Sequence, residues 1–243
     1  MKRLFLYTLV FLVMAFGPSD ITAETPAANS NQRPVLVELF TAQGCVNCPE
    51  ANRFLGELSK DPGLITLSLA VDYWDYLGWA DTYAMSDFSK RQKEYGEAVH
   101  SRRPFTPQII IDGKASVRAT RPEKVRRIIR DIAKEQAAGP KMSMVRDGKQ
   151  IRLDIAAGDA PKGGAVIFIA DYIPGTETVN VKSGENRGKT LEQVNMVTRL
   201  RKIGHWNGEA MSLELPLMQT GSCVAILQEP GPSKVLAVTR LAD

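Results

Sequence analysis

Apolar and polar positions change their period along this chain, and each change marks a different kind of element. Leu4 to Phe16 is an almost unbroken apolar run behind Lys2 and Arg3. Gly17 and Pro18 break it, and Ile21-Thr22-Ala23 offers a small-residue cleavage site, so residues 1–23 are expected to be a signal peptide. The run is short for a bilayer span, which needs about 20 residues. An uncleaved anchor is the alternative. Residues 24–33 are polar, include Pro26, Ala27 and Ala28, and read as a flexible lead-in.

From residue 34 the pattern becomes that of alternating strands and helices. Val35 to Phe40 is nearly all apolar, as in a strand buried on both faces. Ala51, Phe54, Leu55 and Leu58 follow at helical spacing, with Pro49 suited to the first turn. Leu64 to Val71 reads as a second strand, completing a βαβ unit. An aromatic-dense loop, Asp72 to Trp79, comes next, and Asp81 is placed to cap a helix running to about Val99. Gln108 to Ile111 and Ala115 to Ala119 flank Asp112-Gly113, a favoured hairpin turn. Thr120 is then expected to cap a helix with Val125, Ile128, Ile129 and Ile132 on one face. Residues 34–138 therefore read as a β-α-β-α-β-β-α domain.

Gly139-Pro140 is the natural boundary, and the helical period disappears beyond it. Asp147-Gly148 is a turn leading into the strictly alternating Ile151 to Ile155. Ala165 to Tyr172, Leu191 to Leu200, Met211 to Leu217, Cys223 to Gln228 and Val235 to Leu241 are further strand candidates. Residues 141–243 are expected to form an all-β, sandwich-like domain, which would supply partner recognition or shield a face of the first.

Composition adds limits. A hydrophobic share of 44% is that of a globular protein. The net charge of +4 is spread without a basic stripe interleaved with aromatics, so nucleic-acid binding is not expected. After the signal segment no stretch is apolar enough to hold the chain stably in a membrane. Three cysteines are too few to staple a fold. Two of them, Cys45 and Cys48, make a Cys-x-x-Cys between a buried strand and a helix. Zinc sites usually show a second such pair, and none is present. A helix N-terminus beside Cys45 would stabilise its thiolate, and Cys48 one turn further in would resolve a mixed disulfide. A purely structural disulfide is the plainer alternative.

These residues carry a family resemblance. Val35 to Pro49, with Thr106-Pro107 and the hairpin and helix that follow, is similar to the thioredoxin superfamily. The resemblance implies that Cys45 attacks and Cys48 resolves. It also implies that Pro107 is cis beside the disulfide and that Thr106 offers backbone hydrogen bonds to a bound polypeptide. Glu38 lies where thioredoxins keep a buried acid. It is expected either to accept a proton from Cys48 or simply to cap or pair at the strand end. The chain resembles more closely the exported bacterial family catalogued as domain of unknown function 1223. The matching segments are Val37 to Cys45 with Cys48-Pro49, Asp72 to Trp79, Thr106-Pro107-Gln108, Asn186-Arg187-Gly188 and Val197 to Leu200. Gly44 departs from the thioredoxin pattern, which has an aromatic residue before the nucleophile. Val46-Asn47 is neither familiar redox dipeptide, which leaves redox direction open.

The function expected is thiol–disulfide exchange in the periplasm or outside the cell, needing no cofactor. Protein or peptide thiols and disulfides would be the partners, with a membrane redox partner possible. Trp74 is expected at a peptide-binding rim, although a buried aromatic loop more often packs locally. A copper-binding or metallochaperone module is the alternative from another class, with His100 or Asp72 completing a Cys45–Cys48 site. A non-catalytic binding protein with a structural disulfide is the third. His205 reads as a weaker candidate, and Cys223 as a small buried hydrophobe.

Overall fold

In the computed structural model, which describes residues 33–98, 103–136, 139–216 and 221–242, the run Val35–Thr41 forms β1, buried along its whole length. Alternation sorts its side chains to two faces. Val35, Val37 and Leu39 meet α1 (Cys48–Leu58) and α3 (Pro122–Lys134). Leu36 and Phe40 meet α2 (Ser86–Ala98) on the other side. β1 pairs in parallel with β2 (Leu64–Ala70) and antiparallel with β3 (Gln108–Ile111), which turns into β4 (Ala115–Arg118). A strand covered by helices on both faces needs an unbroken apolar run, which this sequence supplies.

The β3–β4 turn shows why its residues are what they are. Asp112 and Gly113 have φ of +53° and +69°, the left-handed pair that a type I′ hairpin requires. A Cβ on Gly113 would lie 1.6 Å from the Ser233 carbonyl oxygen, so only glycine fits. Asp112 is buried and bound by the Arg33 guanidinium at 2.8 and 2.7 Å. Arg33, expected in the flexible lead-in, is thus tied to the fold; residues 24–32 and the signal segment lie outside the described residues.

Two helix starts differ from expectation. Asp81 does not cap α2, because its carboxylate accepts from the Gln43 and Tyr83 amides instead, and the helix begins later, at Ser86. Thr120 does not cap α3 either. Arg121 occupies the cap position without a side-chain bond, and Pro122 opens the helix, where a missing N–H costs nothing.

Beyond Gly139-Pro140 the strands join the sheet already begun. β7 (Ala165–Asn180), β8 (Thr190–Trp206), β10 (Ser222–Gln228) and β11 (Val235–Arg240) extend it in the order β11-β10-β7-β8-β2-β1-β3-β4. The seam is narrow, a parallel bridge between Ser68 and Met196. Asn195 reinforces it: with φ of +49°, its side chain donates to the Thr66 carbonyl and hydroxyl at 3.2 and 2.9 Å. Asn tolerates that conformation better than most residues. β5 (Met142–Asp147), β6 (Gln150–Ile155) and β9 (Met211–Pro216) form a second sheet. Ile151 and Leu153 pack it against Ile167, Ile169 and Ala225 of the large one. Two packed sheets therefore follow residue 140, one of them shared with the first segment. Among the described residues no helix is long and apolar enough to cross a membrane.

Candidate functional site

β1 ends at Thr41, and the chain turns twice before α1. The Cys45 amide donates to the Ala42 carbonyl at 3.2 Å, and the Cys48 amide donates to the Cys45 carbonyl at 3.1 Å. This places the two cysteines with Cα atoms 5.3 Å apart, joined by a disulfide. Cys48 is the first helical residue and Cys45 lies in the turn before it. Both are nearly sealed, at 2% and 1% exposure. Val46 between them is 52% exposed and Tyr76 on the aromatic loop is 79% exposed. An exposed apolar side chain, Val46, thus sits between two covered sulfurs.

The turn is held by a hydrogen-bond network, uncharged save for Asp81, that sequence reasoning did not single out. Each polar atom of buried Gln43 is engaged. Its amide donates to Asp81 Oδ2 at 2.7 Å, and Trp79 Nε1 donates to its Oε1 at 2.7 Å. Its Nε2 donates to Thr82 Oγ1 and Gln193 Oε1, both at 2.9 Å. Asn186, fully buried on the β7–β8 connection, donates to the carbonyls of Gln43 and Cys45 at 2.8 and 2.9 Å. Burial holds the Asp81 carboxyl above its ordinary value, although the Tyr83 and Gln43 amides pull the other way. The available signal was the set of segments carrying the family resemblance, which already contained Gln43, Trp79 and Asn186.

Trp74 links the turn to the hairpin loop. A Cβ on Gly44 would touch the Trp74 Cβ at 3.4 Å, so Trp74 lies against the residue before Cys45. Its indole donates to Thr106 Oγ1 at 2.8 Å, and the Thr106–Pro107 peptide bond is cis. Tyr73 and Trp74 pack on the cluster that contains Cys45 and Cys48. Burial pushes the Tyr73 phenol up to about 12, so it stays protonated at neutral pH. The structure therefore brings Cys45, Cys48, Trp74, Thr106 and Pro107 into one neighbourhood.

Glu38 has partners of its own. Its side chain is buried under α2, where Arg91 Nε donates to it at 2.8 Å and the Tyr95 hydroxyl donates to its other oxygen. The expected pairing is present, with Arg91 on one carboxylate oxygen and the Tyr95 hydroxyl on the other. Burial works against the Arg91 charge, but Glu38, Tyr95 and Glu94 together outweigh it and hold the guanidinium pKa above its usual value.

Cys223 is buried with its sulfur 3.8 Å from Met144 Sδ, and burial pushes its thiol up to about 11, which keeps it out of thiolate chemistry. His205 stands exposed on β8, and His100 lies outside the described residues. Among the described residues no three His, Cys, Asp or Glu side chains gather to hold a metal ion.

Fold and site together define a mixed α/β protein with a covered Cys-x-x-Cys disulfide, held past the end of the buried strand β1 by loops from both halves of the chain. The chain belongs to the family described as protein of unknown function (DUF1223), whose profile matches residues 36–228. No curated protein matches it. Among solved structures it is similar to a protein of Agrobacterium tumefaciens determined by X-ray crystallography, at 29% identity and a TM-score of 0.75, covering 85% of this chain and 93% of that one. HBP35 of Porphyromonas gingivalis superposes with a TM-score of 0.62 at 10% identity, covering 87% of this chain and 75% of the other. At that identity the likeness is one of fold alone.

Proposed function

We propose that this is an exported, thioredoxin-like protein that exchanges disulfides with protein or peptide partners through Cys45 and Cys48. One observation carries the reading: the Cys45–Cys48 disulfide caps the end of β1 and is linked through Trp74 to the Thr106-Pro107 loop. The local order β2-β1-β3-β4, with α1 and α3 on one face and α2 on the other, supports the fold assignment. The aromatic residue absent at Gly44 is replaced from a distance, since Trp74 lies against that glycine. Val46, exposed between the cysteines, supplies an apolar contact for a polypeptide.

In the oxidising direction a partner thiolate attacks Cys45 Sγ, and the Cys45–Cys48 bond breaks as the new sulfur–sulfur bond forms. Cys48 leaves as a thiolate and takes up a proton. A second partner thiolate then attacks the partner's own sulfur, releasing Cys45 and leaving the partner oxidised by two electrons. The reverse sequence reduces a partner disulfide. A membrane redox partner would reset the couple in either case.

Equilibration with glutathione and an insulin-reduction assay test this. The wild type is expected to form a reversible couple and to exchange disulfides, Cys45→Ser to abolish exchange, and Cys48→Ser to accumulate a mixed disulfide. A disulfide inert to glutathione and to protein thiols would reduce the site to a structural bridge.

A further inference from the structure

The β7–β8 connection, residues 181–189, reaches the cysteine turn through Asn186, and its own backbone hydrogen bonds shape it. The Val181 amide donates to the Lys189 carbonyl at 3.0 Å and the Gly188 amide to the Val181 carbonyl at 2.8 Å. Arg187 and Lys189 amides close further turns on Gly184 and Asn186. From this platform Asn186 spends both hydrogens of its carboxamide on the carbonyls of Gln43 and Cys45. Lys189 Nζ donates to its Oδ1 at 3.0 Å, fixing the carboxamide's orientation. The Cys45 carbonyl is also the one that accepts from the Cys48 amide.

We infer that Asn186 is a positioning residue of the disulfide centre, one that keeps the Cys45 peptide turned for ring closure and so biases the couple toward the disulfide. This rests on the reading of Cys45 and Cys48 as a redox couple. The disulfide itself fixes the turn in the oxidised protein. In the reduced protein that constraint is gone, and only hydrogen bonds keep the turn from sampling other backbone states. A donor that pins the same carbonyl removes conformational entropy from the reduced form, where there is more of it to remove. Loss of Asn186 therefore weakens the disulfide and raises the reduction potential.

The test is the equilibrium constant with glutathione, measured on the purified full chain and on three variants. Asn186→Leu keeps volume without donors, and Asn186→Ala removes both. Either is expected to lower the constant for disulfide formation about tenfold, a rise of about 30 mV for this two-electron couple. Lys189→Met is an exposed change that leaves Asn186 in place but frees its carboxamide, with a shift of about threefold in the same direction. A merely structural role would lower the stability of oxidised and reduced forms alike and leave the potential unmoved. An unchanged or lowered potential in every variant that folds, beside a reversible wild-type couple, overturns the inference. A wild type that forms no reversible couple overturns instead the redox reading beneath it.

Discussion

Two buried polar clusters lie close together along one stretch of chain, and they are built from different chemistry. Glu38, in β1, forms an ion pair with Arg91, whose guanidinium also donates to Tyr95 and Gln228 and lies over the Tyr95 and Phe168 rings. Gln43, just past the end of the strand, is surrounded by an indole, two carboxamides, a hydroxyl and one acid. The first cluster ties α2 to the sheet. The second ties the loop before α2, the β7–β8 connection and β8 itself to the cysteine turn. An ion pair buried away from water is costly to assemble and costlier to break, which suits a fixed junction between helix and sheet. Beside a disulfide, a strong permanent charge would itself bias thiolate formation. A largely neutral network can position the sulfurs and leave their electrostatics to the start of α1.

The largest expected effect breaks the charged cluster. Glu38→Ala leaves Arg91 buried without its partner and should cost about 3–5 kcal/mol in urea unfolding. The paired replacement Glu38→Leu with Arg91→Met should recover most of that loss. In that double variant the rate at which dithiothreitol reduces Cys45–Cys48 should stay at the wild-type value. A slowed or accelerated reduction would mean that the two clusters act as one, with Glu38 returned to the cysteines' chemistry.

A smaller effect sharpens the neutral side. Trp74→Phe keeps an aromatic ring against Gly44 and deletes only the donor to Thr106. The net worth of such a bond is about 1 kcal/mol. If thiols reach the sealed disulfide by opening of the aromatic loop, the open population and the reduction rate rise about fivefold. Stopped-flow reduction with dithiothreitol measures it. An unchanged rate would show that access does not pass through Trp74.

Much of this architecture was legible in the chain. Val35 to Phe40 announced a doubly buried strand by lacking any polar face, and Asp112-Gly113 announced its turn by composition. The cysteine pair was found because strand, turn and helix follow one another locally. The seam between the two halves was not readable, since a single bridge at Ser68 and Met196 leaves no periodic trace and Asn195 looks like any polar strand residue. Gln43, Asp81 and Asn186 were missed for a related reason. Asp81 sits where a helix cap belongs, and its real partner is the backbone of Gln43, a contact made by folding and absent from any local pattern. Glu38 was correctly placed as buried, but its partner Arg91 reads in sequence as one more charged residue on an amphipathic helix.

The smallest effect concerns the one acid in the neutral network, and its sign follows from burial. Desolvation holds the Asp81 carboxyl above the ordinary 3.8, with the Tyr83 and Gln43 amides opposing and Asp75 adding to the rise. The folded protein therefore binds the Asp81 proton more tightly than the unfolded chain does. Its contribution to stability is fully present below the unfolded value and is lost as pH rises through the folded one. Asp81→Asn removes the titration, keeps one acceptor oxygen and gives up one amide bond, a loss that does not depend on pH. Urea midpoints measured between about pH 3.5 and 7 should show the wild type losing stability relative to Asp81→Asn as pH rises from 3.8, then running parallel to it. The opposite slope would mean that the amides outweigh desolvation and hold the Asp81 carboxyl below its ordinary value. The cluster around the disulfide would then favour a fixed charge, as the Glu38–Arg91 pair does, and the contrast between the two would fall.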